Sequence, residues 1–236
     1  MKHASLQSEQ IGASRAFAFQ RISLAACIML APISITLYLV TWEGNLRAPL
    51  ILSATASPSA NTLHLIGAMA ASFFLPLGYL GMSLLGMRRA PWLATISAAL
   101  SLIGWIPWSA LVALDDLAYD LNRGGLTPQL AAIWTHFNDD AFMTTYLLIY
   151  VLGHLFSAVL IGFMLGRLRL VPTWAAWAFA LTSPLTILIF PIHNLIFQDL
   201  LKYLICALWI IGAAPAALVM LKNKDHVQPA QPVFPL

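Results

Sequence analysis

Apolar residues gather into six long runs that short polar segments separate. Each run holds about 20 residues or more, the length that an α-helix needs to cross a hydrocarbon core of roughly 30 Å. A helix is required there because no water is present to hydrogen-bond an open backbone. The runs cover 22–41, 62–86, 91–114, 141–166, 171–193 and 200–221. The pattern predicts an all-α membrane protein with six transmembrane helices over 22–221, between tails at 1–21 and 222–236.

The connection between the third and fourth runs carries a helical pattern of its own. Thr127 followed by Pro128 is typical of a helix start, and apolar side chains then recur at helical spacing at Leu130, Ile133, Trp134 and Phe137. We expect a short amphipathic helix on the outer face of the membrane. The pair Gly124-Gly125 is expected to end an extension of the third helix.

The basic residues indicate how the chain is oriented. Nine of the twelve lysines and arginines lie in the two tails and in the connections after the second and fourth runs. Because basic residues accumulate in cytoplasmic segments, both termini are predicted to be cytoplasmic. The acidic residues show the opposite bias. We therefore assign the chain to the inner (cytoplasmic) membrane as a multi-pass protein.

Composition agrees with this assignment and limits the partners. Hydrophobic residues make up 60% of the chain and charged residues only 9%, which leaves no sequence for a soluble domain. The basic residues flank the membrane, where lipid and topology explain them, so no nucleic-acid partner is expected. Cys27 and Cys206 lie inside apolar runs and are interpreted as small buried side chains. The sequence carries no nucleotide-binding or redox motif, and no cofactor is predicted.

One polar stripe crosses the fourth run. Tyr146, Tyr150, Gly153, His154 and Ser157 recur at three- and four-residue spacing and so share one helical face. An ionisable side chain in hydrocarbon usually faces a cavity or a polar partner. The stripe is therefore expected to face the bundle interior. It is a proton relay, a haem ligand or the polar wall of a lipophilic-ligand pocket, or else a neutral histidine that packs two helices together.

A second group of polar residues lies at the predicted outer ends of the helices. Its members are Glu43, His64, Asp115, Asp116, Asp139, Asp140, His193 and Asp199. We expect Glu43 with Asp115 or Asp116 at the mouth of a cavity beneath the Thr127–Phe137 helix, whereas Asp139 and Asp140 would be helix-start charges. The simpler alternative is a solvated acidic rim. Carboxylates with imidazoles can bind a divalent cation, and that alternative stays open, but no pair has the spacing of a metal-binding motif and no metal site is predicted.

Trp105 and Trp108 lie deep in the third run and Trp209 lies deep in the sixth, and these three residues either line a hydrophobic pocket or fill an irregular bundle. Prolines within the runs should kink the helices and open such irregularities.

Three short motifs suggest a resemblance. They are Leu63-His64-Leu65, Gly153-His154 and Pro172-Thr173-Trp174. Together they resemble bacterial six-span integral membrane proteins whose function is unknown. The resemblance implies a six-helix inner-membrane protein and supplies no catalytic residues.

Two functions follow as expectations. The first is a protein that binds a lipid or a lipophilic small molecule in an intramembrane cavity lined by His64, Trp105, Trp108, Tyr146 and Ser157. The alternative is a cyclase-like enzyme that acts on an isoprenoid or lipid. In that enzyme Glu43, Asp115 or Asp116 would be the general acid, and His154 or Tyr150 the base. The sequence does not indicate an oligomeric state.

Overall fold

The computed structural model describes residues 2–41, 58–138, 140–189, 192 and 194–222. Every regular element within these residues is an α-helix. The helices are α1 (Lys2–Val40), α2 (Pro58–Leu85), α3 (Pro91–Arg123), α4 (Thr127–Asn138), α5 (Ala141–Arg167), α6 (Thr173–Ile189) and α7 (Leu195–Lys222). The predicted all-helical fold is therefore confirmed for the described residues, and the C-terminal tail at 223–236 lies outside them.

Five helices are long and apolar enough to cross a membrane. They cover Ser14–Val40, Pro58–Leu85, Pro91–Leu121, Ala141–Arg167 and Leu195–Lys222. The fifth run differs from the prediction, because its helix α6 covers only the 17 residues Thr173–Ile189 and not 171–193. Pro172 lies just before this helix and Pro191 just after it, and proline disfavours helical backbone at the preceding residue.

Two boundaries follow local chemistry. Helix α1 begins at Lys2, so the predicted tail at 1–21 continues the first helix; this segment has no proline and many helix-favouring residues. Helix α3 extends to Arg123 and ends where Gly125 adopts a positive φ of 77°, as expected from the glycine pair.

The long helices close into a ring. Helix α1 packs against α2 and α7, α3 packs against α2 and α5, and α6 packs against α5 and α7. Helix α2 also reaches across the ring to α5 and α7, while α4 contacts α3 and α5. This arrangement gives the bundle one interior, toward which each of the six helices turns a face.

Small residues let neighbouring helices approach closely, as is common in membrane proteins. At the α3–α5 crossing, a Cβ added to Gly153 would lie 2.5 Å from the Cα of Gly104. At the α1–α2 crossing, a Cβ on Gly67 would lie 2.6 Å from the backbone nitrogen of Tyr38. The α3–α5 contact matters most for the interior, because the next residues along the chain, Trp105 and His154, are brought together there.

Candidate functional site

Aromatic rings from four helices meet in the bundle interior. Tyr79 of α2 lies 5.4 Å from Trp105 of α3, 5.1 Å from Phe179 of α6 and 6.4 Å from Trp209 of α7, measured between ring centroids. The two indoles lie 6.1 Å apart. All four side chains are buried. We call these four residues the central aromatic cluster.

His154 joins this cluster from α5. Its imidazole is only 5% exposed, and its ring centroid lies 5.0 Å from that of Trp105. The Nδ1 atom lies 2.7 Å from the carbonyl oxygen of Tyr150. A carbonyl only accepts hydrogen bonds, so Nδ1 donates, and the neutral imidazole then carries its lone pair on Nε2. His154 is thus held by its own helix and faces the bundle interior.

The rest of the polar stripe on α5 is also in contact with protein. The Tyr146 hydroxyl donates to the carbonyl oxygen of Pro107 at 3.2 Å, and the Ser157 hydroxyl donates to the carbonyl oxygen of His154 at 2.9 Å. The Tyr150 ring packs at 5.9 Å from Trp105. These contacts are those of a packed helix face, and they leave His154 and Tyr150 as the members that reach the aromatic interior.

A line of rings continues from the cluster to His64. Trp108 lies 5.8 Å from Tyr150 and 4.9 Å from Tyr38, and the Tyr38 ring stacks on His64 at 4.2 Å. The Nδ1 atom of His64 donates to the carbonyl oxygen of Tyr38 at 2.9 Å. This line, which we call the aromatic column, runs from His64 through Tyr38, Trp108, Tyr150 and His154 to the central aromatic cluster.

Some polar atoms of the central cluster have no partner. The indole N–H groups of Trp105 and Trp209 make no hydrogen bond. The Tyr79 hydroxyl lies beside Thr182 and Ser183 without a hydrogen bond of ordinary geometry. By contrast, the indole N–H of Trp108 donates to the carbonyl oxygen of Ala68 at 3.2 Å. A buried donor without a partner typically costs about 1–3 kcal/mol, so these atoms require an explanation.

The acidic residues lie away from the cluster. Asp115 is partly buried and close enough to Tyr38 to interact with it electrostatically, while Asp116 is exposed. Asp140 caps α5, because its carboxylate accepts the backbone N–H of Phe142 at 2.6 Å. Glu43, Asp139 and His193 lie outside the described residues.

The enzyme alternative requires an acid and a base that lie close together. His154 packs against Trp105, and Asp115 follows ten residues later on the same helix α3, which places it about 15 Å farther along the axis. His154 and Asp115 therefore do not form a pair in this structure. Tyr150 is nearer to the carboxylate, because its ring packs 5.8 Å from Trp108, which precedes Asp115 by seven residues on α3.

Comparison with known proteins gives a single result. No protein-family model, curated protein or solved structure matches this chain. The properties of the site are therefore inferred from its side chains alone. These provide aromatic ring faces, indole N–H donors and two imidazoles inside an apolar bundle.

Sequence reasoning identified part of this site. His64, Trp108, Tyr150 and His154 lie in the aromatic column, and Trp105 and Trp209 lie in the central aromatic cluster. The residues it missed are Tyr38, Tyr79 and Phe179. Tyr79 and Phe179 are each one of several aromatic residues in their apolar runs, and Tyr38 lies near the end of the first run, so the sequence gives no sign of which rings from distant helices will meet.

Proposed function

We propose that this chain is a six-span protein of the inner membrane that binds a lipid or a lipophilic small molecule within its helix bundle. The observation that carries the proposal is the central aromatic cluster, in which buried indole N–H groups have no partner. Ligand sites are typically apolar, with a small number of polar groups that orient the ligand. The centre of this bundle offers both.

The composition of the interior supports a ligand site over simple packing. Helices in a membrane pack chiefly through small side chains, as they do here at the Gly104–Gly153 crossing. The interior beside that crossing is instead built from large rings that carry polar atoms. Helices α1, α2, α3, α6 and α7 also contain an internal proline each, and such helices have freed carbonyls and can bend to admit a ligand.

We also propose that α6 is the sixth span and that both termini are cytoplasmic. The 17 residues of α6 extend about 25 Å, close to the hydrocarbon thickness, and the helix packs between α5 and α7 in the ring. With six spans, both tails lie on the side that holds most of the basic residues. The α4 helix then lies on the outer side.

Topology reporters test this orientation. A reporter that is active only in the cytoplasm should be active when it is fused after Leu236. A reporter that is active only in the periplasm should be active when it is inserted between Gly124 and Gly125. The α3–α4 turn accepts an insertion because Gly124 and Gly125 are both exposed. Active reporters on the same side at both positions would contradict six spans.

Analysis of the molecules that copurify with the protein tests the binding function. Protein purified from native membranes should release one lipophilic species, enriched over bulk lipid and near one molecule per chain, when it is extracted with organic solvent. The variant Ser183→Phe places a ring beside Tyr79 and His154 in the interior, and it should lose that species. The control Leu188→Phe adds the same ring at a residue that is 52% exposed, and it should retain the species.

Two outcomes would change the conclusion. Extracts that hold only bulk lipid, or that are identical for the two variants, would contradict a ligand in the interior. A pair of related molecules that differ by one reaction step would instead favour the enzyme alternative, in which Asp115 and Tyr150 act near Tyr38.

A further inference from the structure

Two indole N–H groups in the central aromatic cluster lack a hydrogen-bond partner. The indole nitrogens of Trp105 and Trp209 can only donate a hydrogen bond. The Tyr79 hydroxyl, the other buried atom of the central aromatic cluster without a hydrogen bond, can both donate and accept. The two indole N–H groups, which can only donate, therefore require an acceptor.

The two indoles are close enough to act on one molecule. Their ring centroids lie 6.1 Å apart, and both rings contact Tyr79. Trp105 is 2% exposed and Trp209 is 4% exposed, so bulk solvent does not satisfy their N–H groups. Trp108, in the neighbouring aromatic column, finds its acceptor within the protein at the carbonyl of Ala68. Trp105 and Trp209 thus differ from Trp108 in having no acceptor for the indole N–H.

The fixed charges on α3 and α7 give an ionic ligand no partner at this site. The Lys202 ammonium is engaged by Asp199 at 2.6 Å, so it is not available to an anion. Asp115, the carboxylate that lies nearest along α3, is about 15 Å farther along the axis, too far to neutralise a cation at Trp105. An uncompensated charge inside hydrocarbon costs at least about 2–3 kcal/mol. A ligand at this site should be neutral.

We propose that the ligand is a neutral lipophile with a carbonyl or similar acceptor oxygen, and that the indole N–H groups of Trp105 and Trp209 donate to that oxygen. The inference rests on the proposed function and adds the chemical class of the ligand. A water molecule is the competing occupant. Water would accept from both indoles, but its two hydrogens would then need acceptors of their own beside the apolar ring faces.

A matched pair of probes tests the role of the oxygen. The ketone 1-tetralone and the hydrocarbon tetralin have nearly the same shape, and only the ketone has an acceptor. The full-length protein, labelled with ¹⁵N at tryptophan and depleted of copurified lipophiles, is titrated with each probe in nanodiscs. The indole N–H resonances of Trp105 and Trp209 are assigned from the variants Trp105→Phe and Trp209→Phe. A downfield shift of both proton resonances with 1-tetralone alone is the expected result.

The variants give the quantitative prediction. The ratio of apparent affinities for 1-tetralone over tetralin should fall about three- to tenfold in each Trp→Phe variant, as expected for one lost hydrogen bond. The control Trp177→Phe removes an indole that is 57% exposed, and it should leave the ratio unchanged. The two probes partition differently into lipid, but this difference is the same for every variant. It therefore cancels when the affinity ratio of a variant is compared with that of the wild type.

The outcomes separate this inference from the proposed function. If both probes bind equally, with no shift of these two resonances, the acceptor inference is wrong while binding of a lipophile stands. If neither probe binds and no lipophile copurifies, both fail. If the two resonances lie at their downfield positions without any probe, and exchange with water, then water is the occupant and the inference is overturned.

Discussion

Replacing Gly153 by leucine is expected to lower the free energy of unfolding by about 3 kcal/mol or more. A Cβ at this position would lie 2.5 Å from the Cα of Gly104, and a Cβ at Gly104 would overlap the backbone nitrogen of His154. Backbone atoms cannot move aside as a flexible side chain would. The α3 and α5 helices must therefore separate, and the contact between Trp105 and His154 is lost with them.

The measurement is unfolding in detergent titrated with sodium dodecyl sulfate, followed by the near-UV circular dichroism of the buried tryptophans. Gly124→Leu is the control, because a Cβ at Gly124 meets its nearest neighbours at 3.5 Å, an ordinary contact distance. This variant should unfold close to the wild-type midpoint. Equal stability of Gly153→Leu and wild type would show that α3 and α5 do not pack through the two glycines.

Replacing Asp199 by asparagine is expected to destabilise the protein more than removing the cation it pairs with. The Lys202 side chain is 8% exposed and its ammonium lies 2.6 Å from the Asp199 carboxylate, which is 55% exposed. Asp199→Asn leaves a buried ammonium without its counter-ion. We expect a loss of about 2 kcal/mol, between the values for surface pairs and for fully buried pairs.

A double-mutant cycle checks this prediction. Lys202→Met retains the packed methylene chain of the lysine and removes the charge, so it should cost less than Asp199→Asn. The double variant Asp199→Asn/Lys202→Met should recover most of the stability lost in Asp199→Asn. An additive cycle, in which the second substitution restores nothing, would show that the pair behaves as a solvated surface interaction.

Much of the fold could be predicted because each span carries its own signal. The long apolar runs became helices, and the glycine pair after α3 ended that helix as expected. The fifth run was the exception, since hydropathy continues past the helix end at Ile189 and only the flanking Pro172 and Pro191 point to a shorter element. Local chemistry therefore sets the helix boundaries more sharply than hydropathy does.

The candidate site was harder to predict because it depends on which faces meet. The buried histidine of α5 stands out in an apolar run, and both His154 and Trp105 could be identified from the sequence. Tyr79 and Phe179 look like any aromatic residues in a membrane helix. Their role depends on the close α3–α5 crossing and on the ring of helices, which bring together residues from distant parts of the chain.

A crystal structure of the protein purified from its native membrane tests the presence of an interior ligand most directly. The expected result is non-protein density between α2, α3 and α7, with an atom within hydrogen-bonding distance of the indole nitrogens of Trp105 and Trp209. That density should be absent in Ser183→Phe and present in Leu188→Phe. Folded protein that retains its native lipids but shows no non-protein density beside the indoles of Trp105 and Trp209 would contradict a ligand-binding function.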